Sequence, residues 1–248
     1  MTSTPVLRWR RAEIPLYTIL LYFGLLAGTY TTYGAARAEG VRGDAVGPAI
    51  FLLVAVAVLG ARLAFVAGRL SVFRREPRRI LAPKEGGAVA YGALLAVPMS
   101  APILAGLGVP FAAFWDAGAL GFLAATVFLR VGCFLNGCCA GRVSDGRLAL
   151  ALRGRGGRRA RRIPTQLLEA VLATVLLTCG ALVLGRMPFA GGLFLTLLAS
   201  YALARFMLEF TREGPRRLGP LTVAQSFSAA FALISLGVFA LALVMAGT

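Results

Sequence analysis

Hydrophobic residues fill long stretches of this chain, and polar residues are confined to short intervals between them. Positions 14–36, 45–61, 86–115 and 218–248 contain no Asp, Glu, Lys or Arg, and a membrane span needs only ~20 apolar residues. The pattern predicts seven spanning helices, at about 14–35, 45–67, 87–107, 111–138, 164–185, 187–210 and 219–245. No separate soluble domain is left over, so residues 1–248 read as one all-α polytopic membrane domain. Gly108 to Pro110 and Arg186 to Pro188 predict tight turns that make hairpins of the third and fourth helices and of the fifth and sixth. Arg8, Arg10 and Arg11 precede an apolar run in the manner of a signal peptide. That run is long and has no convincing cleavage site, so it reads as a retained helix.

Composition agrees, at 58% hydrophobic residues and a mean hydropathy of +0.80. A net charge of +16 would suit a nucleic-acid binder, but the basic residues lie between the hydrophobic runs, where they meet anionic lipid headgroups. No nucleic-acid partner is expected. Three basic residues precede the first helix, six lie in 68–85, eight in 139–163 and three in 211–219, against Arg37, Arg42 and Arg186 on the opposite side. The positive-inside rule then places the N-terminus in the cytoplasm. Histidine is absent, which excludes an imidazole general base, a Ser-His-Asp triad and every metal site built on histidine. Cys133, Cys138, Cys139 and Cys179 lack the paired two-residue spacing of a zinc site. They read as small apolar residues near helix ends or as reactive thiols, and neither a metal nor a cofactor is expected.

Six ionisable residues fall inside or near the ends of the hydrophobic segments: Arg62, Arg130, Arg205, Asp116, Glu169 and Glu209. A charge at mid-membrane costs ~2.5–3.5 kcal/mol on insertion scales, so these groups face the bundle interior or sit at the interface. Equal numbers of each sign allow three buried ion pairs that hold helices together. The spacing of Tyr201, Arg205, Glu209 and Arg212 puts all four on one helix face, which favours a cavity wall. Arg130 and Cys133 share a face of the fourth helix, with Asn136, Gly137 and Gly141 where it should end, and Thr165, Gln166 and Glu169 open the fifth. Arginine presents a planar fork of donors matched to phosphate oxygens. An arginine-lined cavity among apolar helices therefore suits a phospholipid, with the acyl chains against the helices. Gly86, Gly87 and Gly92 would let backbone amides approach a phosphate.

These residues resemble the prolipoprotein diacylglyceryl transferases, seven-helix enzymes of the bacterial membrane. RVGCFLNGCCAGR (Arg130 to Arg142) is similar to the family signature, and Asp116 lies fourteen residues before Arg130, as the family's aspartate does. GARLAFV from Gly60, IPTQLLE from Ile163, YALARFMLEFTRE from Tyr201 and LTVAQSFS from Leu221 resemble four further family motifs, and Tyr17, seven residues before Gly24, matches a tyrosine of the first helix. The resemblance implies transfer of a diacylglyceryl group from phosphatidylglycerol to the thiol of a lipoprotein-signal cysteine, with release of glycerol phosphate. It implies that Arg130 and Arg205 clamp the phosphate and stabilise the departing charge. Tyr17, Arg62, Gly92, Asp116, Cys133, Asn136, Gly141, Gln166, Glu169, Tyr201, Glu209 and Arg212 would shape the substrate site, in a multi-pass protein of the inner membrane. The expected partners are phosphatidylglycerol or another anionic phospholipid and a prolipoprotein signal peptide.

The chain departs from the family pattern at three places. Tyr91, Gly92 and Ala93 stand where the family has His-Gly-Gly, Cys133 replaces an asparagine, and Arg162 or Ile163 replaces a histidine before Pro164. A cysteine acceptor of pKa ~8.5 is already a few per cent thiolate at neutral pH. Tyr91 could position the nucleophile or donate a hydrogen bond, but with pKa ~10 it is a poor base. Family members place the signature loops on the outer face, opposite to the side implied by the arginine count. Two alternatives stand beside the transferase reading: a relative with another acceptor, and a non-catalytic phospholipid-binding or lipid-moving protein. Thiol chemistry by Cys133, Cys138 or Cys139 is a third.

Overall fold

The computed structural model describes residues 6–9, 12–76, 96–153, 158–214 and 217–246. Tyr91 and Gly92 lie outside the described residues. The chain divides into two compact units, residues 1–39 with 115–248, and residues 40–114.

In the larger unit, β1 (Val6–Trp9) pairs antiparallel with β2 (Ala12–Pro15). Pro15 holds an extended conformation (φ −59°, ψ 132°), and α1 (Leu16–Ala38) begins directly after it. Its 23 residues reach ~35 Å, more than the ~30 Å hydrocarbon thickness. The helix α5 (Phe111–Leu135) crosses α1 where Gly24 and Gly28 meet Gly121 and Ala125. A Cβ at Gly28 would stand 2.8 Å from the Gly121 carbonyl oxygen, so the small residues set how closely these backbones approach. The loop that follows contains a hairpin of β3 (Leu150–Arg153) and β4 (Arg159–Arg162), with Leu150 opposite Arg162.

Beyond the hairpin come α6 (Thr165–Val183) and α7 (Gly192–Glu209), joined by a turn in which Gly185 and Gly191 adopt φ of +72° and +91°. Then β5 (Arg217–Leu218) and β6 (Leu221–Thr222) lead into α8 (Val223–Ala246). The start of α8 is a capping box. The Thr222 hydroxyl accepts the Gln225 amide at 3.1 Å, and the Gln225 side-chain oxygen accepts the Thr222 amide at 3.0 Å. Gln225, Ser228, Ala232 and Ser235 are buried at helical spacing, and α8 packs on α7.

The smaller unit contains α2 (Gly43–Ala67), α3 (Leu70–Arg75) and α4 (Ala96–Gly106). Here α2 packs on α4, and the α2–α3 corner is built on Phe65, which has Phe73 at 6.0 Å and the Arg69 guanidinium at 4.3 Å.

Five helices, α2, α5, α6, α7 and α8, are long and apolar enough to cross a membrane. The expected seven are not reached among the described residues. Although α1 is long enough, it is rich in Tyr, Thr and Gly, and only residues 96–107 of the expected third helix are described. Burial is inverted relative to a water-soluble bundle: Leu233 on α8 and Phe51 on α2 are each 72% exposed, while Gln166, Glu169 and Glu209 are buried. Apolar side chains thus face lipid, and the polar ones turn inward where partners exist. The protein is an all-α integral membrane protein.

Candidate functional site

Pro164 closes the extended segment of β4 and precedes the first residue of α6. Thr165, Gln166 and Glu169 then fall on one helix face. All three are buried, Glu169 completely.

The Glu169 carboxylate meets three guanidinium groups. Its Oε2 lies 2.5 Å from Nε of Arg130 on α5, and its Oε1 lies 2.9 Å from Nη2 of Arg212 and 3.7 Å from Nε of Arg205. The Arg212 contact is an aligned hydrogen bond, whereas the Arg130 approach is off-line and makes an ion pair only. Glu209, one turn beyond Arg205 on α7, adds a second carboxylate. Its Oε2 accepts from Arg205 Nη1 at 2.6 Å and lies 3.6 Å from Arg212 Nε, and its Oε1 accepts the Thr222 hydroxyl at 3.4 Å. Tyr201 is a side-chain hydrogen-bond partner of Arg130 and packs its ring edge-on to Phe122 at 5.8 Å.

Three guanidinium groups against two carboxylates leave this cluster with one unit of positive charge. The glutamates have little access to water, while the three arginine side chains keep 16–25% exposure. Such a cluster holds the forks of its arginines in fixed positions and has room electrostatically for one monoanion.

A tight loop closes one side. The end of α5 is a Schellman motif: Gly137, at φ +68°, donates its amide to Phe134, and Cys138 donates to Cys133. Gln166 Nε2 donates to the Cys138 carbonyl at 2.5 Å, while its buried Oε1 has no hydrogen-bond partner. Gly141 donates to the Ile163 carbonyl at 2.9 Å, and Arg142 to that of Thr211 at 2.8 Å. A Cβ at Gly141 would come within 2.5 Å of Thr165 Oγ1 and 2.6 Å of the Thr211 carbonyl oxygen, so only glycine lets the loop lie this close to Arg212. A cavity of about 300 Å³ opens beside it, lined by Gly137, Cys138, Cys139, Ala140, Arg153, Arg212 and Glu213.

The cysteine spacing that argued against a metal site in sequence gives no hint of what the loop does to the thiols. The Sγ atoms of Cys133, Cys138 and Cys139 lie within 4.8 Å of one another. Hydrogen bonds from Cys133 and Cys138, with Arg212 and Arg130 nearby, pull the Cys139 thiol down to about 5 against the opposing effect of burial. Burial and the neighbouring Cys139 push the Cys138 thiol up. The Asn136 side chain hydrogen-bonds Cys138, and the Tyr17 ring packs against Gly132 on α5.

Residues 5–241 match the family described as prolipoprotein diacylglyceryl transferase. The chain belongs to the prolipoprotein diacylglyceryl transferase family. It is 34% identical over 244 residues to the phosphatidylglycerol–prolipoprotein diacylglyceryl transferase of Geobacter sulfurreducens, covering 94% of this chain and 90% of that protein. It is 29% identical over 224 residues to the enzyme of that name from Trichormus variabilis, covering 86% of this chain and 79% of the relative. With the Clostridioides difficile protein of that name it shares 24% over 217 residues, covering 87% and 86%.

Of the residues singled out in this family member's sequence, Arg130, Glu169, Tyr201, Arg205, Glu209 and Arg212 converge on one cluster, and Asn136 and Gly141 lie in the adjoining loop, flanked by Cys133 at the end of α5 and Gln166 at the start of α6. Asp116 sits elsewhere. It is buried at the far end of α7, where its carboxylate accepts the amides of Gly191 at 2.6 Å and Phe194 at 2.7 Å. The length of α7 puts this cap roughly 25 Å from Glu209. Among the described residues, Asp116 is thus held by backbone amides, and the buried ion pairs that the charge count allowed converge on Glu169 and Glu209 instead of forming three separate pairs. Arg62 lies on α2 in the other unit, its guanidinium 5.3 Å from the Phe65 ring. Sequence reasoning missed the Arg162–Glu213 ion pair at 2.6 Å and the Thr165–Thr211 hydroxyl bond at 3.0 Å, whose partners are far apart in the chain. The Thr222–Gln225 capping box, in contrast, has a local signature that was present in the sequence.

Proposed function

We propose that this protein transfers the diacylglyceryl group of phosphatidylglycerol to the cysteine thiol of a prolipoprotein signal, releasing glycerol phosphate, in the bacterial inner membrane. One observation carries the reading: Arg130, Arg205 and Arg212 are held by Glu169 and Glu209 with one positive charge in excess, opposite in sign and equal in size to a phosphodiester. In the transfer, the thiolate sulfur attacks the glyceryl carbon bonded to the phosphate oxygen. A carbon–sulfur bond forms, the carbon–oxygen bond breaks, and its electron pair leaves on glycerol phosphate. The leaving phosphate gains one negative charge, so the arginine forks bind it more strongly than the diester, and the difference lowers the barrier. Arg130 and Arg205 clamp the phosphate, Tyr201 orients Arg130, and Tyr91 occupies the position of the family's histidine. The acyl chains lie along the apolar helices, and the signature loop faces the outer side of the membrane.

The test is purified protein with labelled phosphatidylglycerol and a lipobox peptide, scoring peptide lipidation and free glycerol phosphate beside an Arg130→Ala control. Lipidated peptide and glycerol phosphate should appear in equal amounts and fall by roughly 10²–10³ in the control. Phosphatidylglycerol bound but left intact would replace the transferase reading with a lipid-binding one.

A further inference from the structure

Outside the arginine–glutamate cluster, the described residues hold one other concentration of reactive side chains. It arises from backbone geometry. In the Schellman motif that ends α5, Cys133 occupies the last turn of the helix and Cys138 the third residue beyond Leu135, two positions that the motif brings into side-chain contact. Their usual occupants are apolar; here both are thiols. Cys139 follows with φ +62°, the one described non-glycine residue in the left-handed region. That conformation costs about 1–2 kcal/mol for a residue with a Cβ, and it turns the third thiol back toward the other two.

The three Sγ atoms lie within 4.8 Å of one another, and none is in a disulfide. Three sulfurs bound to one ion at ~2.3 Å stand about 3.8–4.0 Å apart, so the cluster needs to contract by no more than about 1 Å. The loop is held from outside the cluster by the Gln166 bond to the Cys138 carbonyl and the Gly141 bond to Ile163. The adjoining cavity of about 300 Å³, which Cys138, Cys139 and Glu213 line, has room for a further ligand such as water. Charge also fits: three thiolates exceed the charge of a mono- or divalent ion, and Arg212 and Arg130 lie close enough to Cys139 to offset the remainder. In a chain without histidine, soft sulfur ligands select Zn(II) or Cu(I) over harder ions.

We propose that Cys133, Cys138 and Cys139 form a binding site for one thiophilic d10 ion, Zn(II) or Cu(I), on the loop beside the arginine cluster. The proposal is independent of the transferase reading, because its measurements report metal and not lipid.

The full-length protein, purified reduced in detergent and freed of metal, is loaded separately with Zn(II) and with Cu(I) under anaerobic conditions and desalted. Metal per chain and thermal unfolding are then measured. About one ion per chain, with a raised unfolding temperature, is expected for the native protein and for Cys179→Ser. The triple Cys133→Ser/Cys138→Ser/Cys139→Ser variant should retain none. The two loading arms distinguish which ion is preferred. Where the triple variant fails to fold, each single serine variant should lose at least tenfold in affinity in a competition titration against a chromophoric chelator. Equal metal retention by native and triple-serine proteins would overturn the proposal. So would sub-stoichiometric binding of both ions.

Discussion

Replacing Glu169 with Gln keeps the shape of the side chain and removes the charge on which three arginines converge. The cluster then carries two units of excess positive charge instead of one. A charge pair at 4 Å and an effective dielectric constant of 20 is worth about 4 kcal/mol, and removing one partner of a buried pair costs about 3–5 kcal/mol. Glu169 is fully buried, but its partners keep 16–25% exposure and can recruit water, which places the loss near about 3 kcal/mol. At ~2–4 °C per kcal/mol for a chain of this size, the unfolding temperature should fall by roughly 6–12 °C. Thermal unfolding of the detergent-solubilised protein, followed by circular dichroism, measures this directly. The double variant Glu169→Gln/Arg130→Gln returns the cluster to one excess charge, so it should lose less than the sum of its single variants. A fall of under about 2 °C in Glu169→Gln, or strict additivity in the double variant, would refute the view that Glu169 is the electrostatic hub.

Gly141→Ala should destabilise by about 1–3 kcal/mol, because its Cβ meets two carbonyl oxygens and a hydroxyl; Gly34→Ala, with nothing within 4 Å, should be neutral or slightly stabilising in the same melt. Asp116→Ala removes the acceptor of two amides at the start of α7 and should cost about 1–2 kcal/mol, measured by the same melt, while the Michaelis constant for phosphatidylglycerol stays within twofold of native. In metal-free protein the alkylation rate of Cys139, followed by peptide mass spectrometry, should rise as pH passes about 5 and level off above it, since a lowered thiol pKa means the nucleophilic thiolate is already formed below neutrality; a midpoint near 9 would contradict the hydrogen-bonded thiol geometry. In intact spheroplasts a membrane-impermeant maleimide should label Cys139, as the outer-face orientation requires, and protection until lysis would instead support the orientation given by the arginine count.

Hydrophobic runs determined the class of this protein, because a bilayer tolerates only apolar surface and internally bonded backbone, and uncharged stretches of the right length satisfy both. Helical spacing likewise put Tyr201, Arg205 and Glu209 on one face of α7, since i and i+4 relations are local, whereas Arg212, expected on the same face, lies beyond the helix end and bridges to Gly141. The glycine after Asn136 marked where α5 stops for the same local reason. Tertiary structure decided the partners. Composition offered Asp116, Glu169 and Glu209 as equivalent acids, yet packing gave one of them backbone amides and the other two a shared set of arginines. Spacing argued against a zinc site and left the cysteines as small apolar residues or reactive thiols, whereas the left-handed turn after α5 gathers three of the thiols together. Ion pairs such as Arg162–Glu213, 51 residues apart, depend on how the hairpin loop folds back over the helix ends, and no local periodicity encodes that. The sequence alone therefore determined which residues could carry charge inside the membrane, and the fold determined which charges meet, because pairing energy depends on distance and burial that exist only after the helices have packed.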